Sequence, residues 1–176
     1  MIKYKGKFID MNEIDGWEFV SRKDNTEVVS IIATTRKNEI ILVKQFREAI
    51  GKYVIEFPAG LIDKGETVTN AALRELKEET GEIAFANNCS IDGPYTKSPG
   101  LSNEISYVAY VNIDHFEKQE LKDEEKIEVI KLNAYTDSIN IFLRSMSNDT
   151  ILNNTVAIYL EMEKRINKEI EFCEEY

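Results

Sequence analysis

The chain has 176 residues, of which 43% are hydrophobic and 31% charged, and its formal net charge is −10. Length and composition are those of one folded globular domain and exclude a disordered chain. The acidic balance also argues against general binding to nucleic acid, whose phosphates require lysine and arginine.

Strands are predicted through the first third of the chain. Residues 1–22 alternate loosely between apolar and polar side chains and predict two short strands. The following β-branched segments predict a hairpin and a further strand, which Pro58 ends because proline has no amide hydrogen to donate. The predicted strands are 17–20 within the N-terminal region, then 28–35, 39–45 and 53–57.

A helix is predicted over 67–80, because its sequence is rich in alanine, leucine and glutamate, lacks proline and is followed by Gly81 as a C-terminal cap. Strands follow within 83–95, at 104–111 and at 127–132, with a charged loop at 114–126 and helices at 136–146 and 151–172. This order predicts an α+β fold with a mixed sheet. On the last helix we expect Val156, Tyr159, Leu160 and Ile166 to face inward.

Three glutamates gather on one side of the predicted helix. At about 100° per residue, Glu75, Glu78 and Glu79 fall together, away from the apolar side formed by Leu73 and Leu76. Like charges three and four residues apart repel each other and weaken a helix, so a compensating cation is expected. Because carboxylate oxygens are ligands of Mg²⁺, this face indicates a magnesium site and chemistry on phosphate oxygens.

The segment around this helix resembles the Nudix box, Gly-x5-Glu-x7-Arg-Glu-apolar-x-Glu-Glu-x-Gly-apolar. The residues that fit are Gly60, Glu66, Arg74, Glu75, Leu76, Glu78, Glu79 and Gly81. Only the last position departs, where Glu82 stands in place of an apolar residue. The resemblance implies the Nudix fold, a mixed β sheet packed between helices, and hydrolysis of a nucleoside diphosphate linked to another group.

The resemblance also implies roles for individual residues. Glu75, Glu79 and the backbone carbonyl of Ala59 would hold two or three Mg²⁺ ions, for which Mn²⁺ could substitute. Glu78 would lie close to the same catalytic site. Arg74 and Glu66 would orient the helix and the preceding loop, as partners of metal ligands commonly do.

Segments outside the box resemble the ADP-ribose pyrophosphatases of the family. They are VKQFRE at 43–48, EFPAG at 56–60 and SPGLSNE at 98–104, where Pro99 stands at the position at which this subgroup tends to carry proline. The implied substrate is a small nucleotide sugar, ADP-ribose, hydrolysed to AMP and ribose 5-phosphate. The alternatives are a hydrolase of another nucleotide sugar such as GDP-mannose, a non-catalytic nucleotide-binding module, and, disfavoured by the SPGLSNE segment, an enzyme for nucleoside triphosphates or capped RNA.

Four residues are expected to contact the substrate. Trp17 and Glu18 lie in GWEFV, which resembles an adenine-stacking segment, although Trp17 could equally belong to the sheet core. Arg47 would reach phosphate or ribose, or else pair with Glu48 or Glu56. Glu104 would contact the terminal ribose or support the metal-binding helix.

The general base is expected in the acidic loop at 122–126. Glu125 is the first choice from the alignment with the subgroup, and Glu124 and Asp123 are the alternatives, because a solvated acidic loop has the same composition.

The resemblance also predicts a homodimer. In the subgroup, N-terminal strands cross to the partner, so residues 1–22 are interpreted as an antiparallel dimerisation extension and 23–176 as the hydrolase domain. No apolar run approaches the roughly 20 residues of a membrane span, and no signal-peptide core is present. Cys89 and Cys173 form no redox or metal spacing, so we expect a cytoplasmic protein without membrane contact.

Overall fold

The computed structural model describes residues 1–23, 27–121 and 126–174, with side chains described up to residue 167. These residues form thirteen strands and three α-helices. The strands are β1 Ile2–Lys5, β2 Ile9–Ile14, β3 Trp17–Arg22, β4 Glu27–Thr34, β5 Glu39–Arg47, β6 Lys52–Glu56, β7 Ala59–Leu61, β8 Glu82–Ile83, β9 Cys89–Tyr95, β10 Ile105–Asn112, β11 His115–Phe116, β12 Ile127–Asn133 and β13 Thr150–Leu152. The helices are α1 Val68–Thr80, α2 Thr136–Ser145 and α3 Asn154–Glu174.

The central sheet is mixed, as predicted. Its strand order is β13-β6-β5-β4-β10-β9, with β12 added to β5 and β7 added to β4. The β4–β10 and β13–β6 pairs are parallel and the other pairs are antiparallel. The predicted hairpin of β4 and β5 is paired in register only at Thr34 and Ile40. Beyond that point β5 pairs with β6 and β12, while β4 pairs with β7 and β10. Because Gly60 lies on β7, the start of the box is placed beside β4 in the middle of the sheet.

Helices cover both faces of the sheet. Successive side chains of a strand point to opposite faces, so Val29 and Ile31 pack with Leu76 of α1 while Ile32 packs with the core on the other face. That second core includes Ile139 of α2 and Leu160 of α3. The predicted α+β arrangement, a mixed sheet between helices, is therefore confirmed.

Local sequence fixes both ends of α1. The Thr67 hydroxyl accepts a hydrogen bond from the Asn70 amide at 3.2 Å and so caps the first turn. Gly81 ends the helix in the left-handed conformation, with φ 74°, and donates its amide to the Lys77 carbonyl. Leu76 is fully buried, and burial of such a side chain contributes about 1.5–3 kcal/mol. A capped helix with one apolar face thus presents its glutamates in a fixed direction.

The N-terminal region differs from the prediction in its number of strands. Residues 2–22 form three antiparallel strands, β1–β2–β3, and not two. This small sheet joins the rest of the chain through β3, where the Val20 amide donates to the Leu101 carbonyl at 2.8 Å. The antiparallel strand extension is confirmed, whereas its role in dimerisation stays a prediction.

Two expectations for the C-terminal region were wrong. The last helix is predicted to begin at residue 151, but residues 150–152 form β13, which pairs parallel with β6, and α3 begins at Asn154. Val156 and Leu160 are buried as predicted, whereas Ile166 is 47% exposed. In addition, the predicted loop at 114–126 contains β11, paired with β8.

None of the helices within the described ranges combines the length and the hydropathy that a bilayer-spanning segment requires.

Glu82, the one departure from the Nudix box, is buried with a cation. Its side chain is 2% exposed, and its Oε1 lies 2.5 Å from Nζ of Lys131 on β12. The same ammonium lies 5.4 Å from the centre of the Phe116 ring. The charged residue at this position of the box is thus paired with a cation 49 residues further along the chain.

We expect Lys131→Met to destabilise the fold by about 2 kcal/mol, since it leaves the buried Glu82 carboxylate without its cation; removing one partner of a fully buried pair costs roughly 3–5 kcal/mol, and Lys131 is partly exposed. The double variant Glu82→Leu/Lys131→Met should recover most of this loss, because an apolar pair needs no compensating charge. Urea unfolding measures both. Equal stability of the wild type and Lys131→Met would contradict a structural role for the pair.

Candidate active site

Arg74 organises the polar part of the site. Its Nε donates to Glu66 Oε1 at 3.0 Å and its Nη2 donates to Glu66 Oε2 at 2.9 Å, a two-pronged contact of the kind in which arginine is strongest. Nη2 also donates to the Leu61 carbonyl at 2.9 Å, and Nη1 donates to Glu75 Oε1 at 2.6 Å. One guanidinium therefore ties α1 to the loop that precedes it; the orienting role of Arg74 and Glu66 in the site stays a prediction.

Glu75 fills the space left by a missing side chain. It is 6% exposed, and a Cβ built on Gly60 would lie 1.9 Å from its Cδ and 2.1 Å from its Oε1. Glycine is therefore required at position 60 by the close approach of a carboxylate, and not by a positive φ. This contact explains why the first glycine of the box and its second glutamate occur together.

Glu79 of α1 contacts Ala59, the residue of β7 that precedes Gly60. Its Oε2 accepts a hydrogen bond from the Ala59 amide at 3.2 Å. In the β4–β7 ladder, Ser30 and Ala59 form a pair that exchanges no hydrogen bonds, because the Ile31 amide donates to the Pro58 carbonyl instead. The amide and the carbonyl of Ala59 thus both point away from β4, on the side where Glu79 lies.

Glu78 lies close to the same network. Its Oε2 is 3.8 Å from Nη1 of Arg74, and its side chain is 23% exposed. The structure thus brings Glu66, Glu75 and Glu78 to one guanidinium. The assignment of Glu78 to the catalytic machinery stays a prediction.

The carboxylate oxygens of Glu75 and Glu79 and the carbonyl oxygen of Ala59 are ligand types that suit Mg²⁺. Glu75 and Glu79 contact adjacent residues of β7, and the Ala59 carbonyl shares the edge that Glu79 faces. Over the described ranges, no three acidic, histidine or cysteine side chains are placed to hold a metal ion by themselves. Mg²⁺ commonly takes only one or two carboxylates and completes its shell with water and substrate phosphates. Two carboxylates and one carbonyl therefore fit that ion.

Arg74 lowers the pKa of Glu66 below its ordinary value through the hydrogen bonds to its carboxylate, against the opposing effect of burial. Glu66 in turn raises the pKa of Arg74. A carboxyl group with a lowered pKa in the folded state stabilises the fold when ionised. Its contribution is complete above the pKa of the unfolded chain and is lost as the pH falls through the folded-state pKa.

The lowered pKa of Glu66 predicts how the loss of stability in Glu66→Gln depends on pH. The difference in unfolding free energy between the wild type and Glu66→Gln should be constant from neutral pH down to about pH 5, and should shrink below the ordinary glutamate pKa of 4.5. Urea unfolding at a series of pH values measures it. Glu161→Gln, at a 58% exposed position on α3, serves as the control. A difference that grows towards acid would contradict the assignment.

The predicted substrate residues have varied surroundings. Trp17 is 59% exposed, so its alternative place in the sheet core is wrong for this chain; a Cβ on Gly100 would meet its ring at 3.8 Å. Glu18 on β3 is exposed as well.

Arg47 donates from Nε to Glu56 at 2.6 Å, which is the pairing given as its alternative. Glu104 accepts from Nε of Arg22 at 2.9 Å. Substrate contacts of these residues stay predictions.

The segment around Pro99 forms a turn against the N-terminal sheet. The amides of Leu101 and Ser102 both donate to the Ser98 carbonyl, which closes the turn around Pro99. Val20 of β3 forms an isolated bridge with Ser102. This contact places Trp17 and the SPGLSNE segment side by side, although they are far apart in sequence.

The proposed bases Glu125, Glu124 and Asp123 lie outside the described residues. The sequence predicts no role for the chain just before them. There, Gln119 contacts the C-terminal end of α1. A single glutamine in a charged loop carries no pattern, so no signal in the sequence identifies it.

The chain is similar to known proteins in both sequence and fold. Residues 24–147 match the NUDIX domain family. The chain is 45% identical over 92 residues to the ADP-sugar pyrophosphatase of Mus musculus, covering 52% of this chain and 41% of the mouse protein. It is 41% identical over 106 residues to the ADP-ribose pyrophosphatase of Bacillus subtilis (strain 168), covering 59% of this chain and 56% of that protein.

The chain thus spans about half the length of the curated relatives it matches. A solved structure titled as an ADP compounds hydrolase has the same fold, with a TM-score of 0.65, 20% identity, and coverage of 93% of this chain and 89% of that one. The matched family region contains α1, β7 and the complete Arg74 network. The chain therefore belongs to the NUDIX family.

Proposed function

We propose that this protein is a Mg²⁺-dependent hydrolase of nucleotide sugars that cleaves the diphosphate of ADP-ribose to AMP and ribose 5-phosphate. The observation that carries the proposal is the pair of carboxylates, Glu75 and Glu79, held against the adjacent residues Gly60 and Ala59 of β7. The names of the mouse and Bacillus subtilis relatives support the ADP-sugar substrate.

The reaction consumes one water molecule. A new bond forms between the water oxygen and one phosphorus, the bridging P–O bond breaks, and the water protons end on the products and the solvent. Bound Mg²⁺ would offset the charge of the diphosphate and lower the pKa of a coordinated water. Two or three ions held by Glu75, Glu79 and the Ala59 carbonyl, with Mn²⁺ as a substitute, are part of the proposal.

The chain's own residues hold this arrangement in place. Arg74 keeps Glu75 oriented and joins it to Glu66, which is itself held by the Asp63 amide at 3.1 Å. We assign the general base to Glu125, with Glu124 and Asp123 as the alternatives, on the alignment of the sequence alone. Trp17, Glu18, Arg47 and Glu104 are proposed to bind the nucleotide sugar.

A panel of nucleotide sugars tests this function. We expect hydrolysis of ADP-ribose with Mg²⁺, slower hydrolysis of GDP-mannose, and none of either in the presence of EDTA, with products resolved by chromatography. Faster turnover of GDP-mannose would favour the second hydrolase assignment. Binding of ADP-ribose by calorimetry without any turnover would instead favour a nucleotide-binding module.

We further propose a homodimer formed through the N-terminal sheet, in the cytoplasm. Large apolar side chains of β1, β2, β3 and the β1–β2 turn are exposed, and a second copy packed on them would remove them from water. The side chains are Ile2, Tyr4, Phe8, Ile9, Ile14 and Trp17, each between 45% and 69% exposed. Free Cys89 is compatible with a reducing compartment.

Sedimentation of the wild type should show a dimer at micromolar concentration, because a second copy would remove this apolar surface from water. The double variant Tyr4→Glu/Phe8→Glu should sediment as a monomer, while Ile141→Glu, an exposed apolar position on α2, should not change the mass. A monomeric wild type would contradict the proposal.

A further inference from the structure

The side chain of Gln119 joins two distant parts of the chain. Its Nε2 donates to the carbonyl of Glu79, on the last turn of α1. The same nitrogen also lies 3.4 Å from the carbonyl of Ile127, the first residue of β12. A glutamine amide has two N–H donors, so one side chain can serve both carbonyls.

Backbone amides next to Gln119 donate hydrogen bonds to carbonyls at the same end of α1. The last carbonyls of an α-helix have no partner within the helix. Here the Glu120 amide donates to the Glu78 carbonyl at 3.0 Å, and the Glu117 amide donates to the Gly81 carbonyl at 2.7 Å. A Cβ on Gly81 would lie 2.3 Å from the Glu117 carbonyl oxygen. The segment around Glu117 therefore packs against α1 so closely that position 81 has no room for a side chain.

A charge contact holds the same segment on α1. Nζ of Lys77 lies 3.1 Å from Glu120 and 3.6 Å from Glu117. Strand β12 is tied to the helix end at a second point as well, since Lys131 pairs with Glu82 just after α1. The turn that carries Glu78 and Glu79 is therefore held by residues 117–120, which belong to neither the box nor the central sheet, and by contacts with β12.

We propose that Gln119 is a positioning residue for diphosphate hydrolysis, acting through the metal-binding turn of α1. Its amide sets the position of Glu79 relative to β12, because it contacts the carbonyls of both Glu79 and Ile127. This inference rests on the proposed function. Groups that orient metal ligands typically contribute 10–100-fold to metal affinity or activity.

Two measurements on Gln119→Leu test the proposal, one of them independent of turnover. Leucine keeps the size of glutamine but has no donor. We expect Mn²⁺ binding, followed by electron paramagnetic resonance, to weaken about tenfold or more, and kcat for ADP-ribose to fall by a similar factor at saturating substrate. KM should change less than kcat, because the side-chain amide of Gln119 is engaged by the Glu79 and Ile127 carbonyls. Gln119→Lys retains N–H donors and adds a favourable charge at a helix C-terminus, so it should keep most of the Mn²⁺ affinity.

Lys118→Leu is the matched control, since Lys118 is the exposed neighbour in the same segment; it should bind Mn²⁺ and turn over as the wild type does. Should Gln119→Leu not fold, Gln119→Met tests the same contact, because a thioether also lacks the donor and adds no charge. Wild-type Mn²⁺ affinity and kcat in a folded Gln119 variant without donors would overturn this proposal alone. A wild type that neither binds Mn²⁺ nor hydrolyses ADP-ribose would overturn the proposed function together with it.

Discussion

Replacing Glu79 by glutamine should lower the rate of ADP-ribose hydrolysis by more than about 100-fold, since even groups that only orient a metal ligand contribute 10–100-fold. Glutamine keeps the length of the side chain and an oxygen that can accept the 3.2 Å hydrogen bond from Ala59. It loses the negative charge that a divalent cation requires. Fold and activity should thus separate: steady-state kinetics should show the loss, while thermal unfolding should remain close to that of the wild type.

Glu161→Gln on α3 is the matched control. It makes the same chemical change on a helix, at a 58% exposed position that pairs with Lys164 at 2.9 Å. Mn²⁺ titration of both variants separates a lost ligand from a lost base, because only the former weakens metal binding. Full activity of Glu79→Gln would exclude Glu79 from the site and remove the main support for the hydrolase assignment.

The metal-binding helix could be predicted from the sequence because its determinants are local. Thr67 caps its first turn, Gly81 ends it, and the apolar and acidic faces follow from the helix period. The contacts of Arg74 with Glu66 and Glu75 lie within nine residues of each other. A motif of that length contains both partners of each contact, so recognition of the motif suffices to place them.

Elements that depend on distant partners could not be predicted in the same way. β13 has only three residues and is a strand because it pairs with β6, about 100 positions earlier in sequence. β1 has four residues, all exposed, whose pairing with β2 supplies the order. The intrinsic strand propensity of such short segments is too weak to predict them, because their tertiary pairing decides their conformation.

The same reasoning applies to two contacts around the end of α1. The sequence shows Glu82 as a departure from the box, but its cation, Lys131, lies on β12. Gln119 reaches Glu79 across 40 positions. In both cases the partner is identified only when the fold brings the segments together, and neither segment is repetitive or unusual in composition.

Replacing Gly60 by alanine should reduce hydrolysis by a factor similar to that of losing a metal-orienting group, about 10–100-fold. The new Cβ would occupy the position of the Glu75 carboxylate, at 1.9 Å from Cδ. Glu75 has little room to withdraw, because it is buried and held by Arg74 at 2.6 Å. The overpacking should also cost about 1–3 kcal/mol of stability. Kinetics and urea unfolding measure the two effects.

A double-mutant cycle with Glu75→Asp distinguishes this clash from a general defect of the turn. Aspartate is shorter by one methylene and withdraws the carboxylate from the space that the new Cβ needs. In Gly60→Ala/Glu75→Asp the stability losses should therefore be less than additive, as expected for residues in contact, while activity should stay low because the carboxylate no longer reaches its place beside β7. Additive stability losses would place the strain elsewhere than at Glu75. Recovery of activity in the double variant would show that the exact reach of Glu75 does not matter for the reaction.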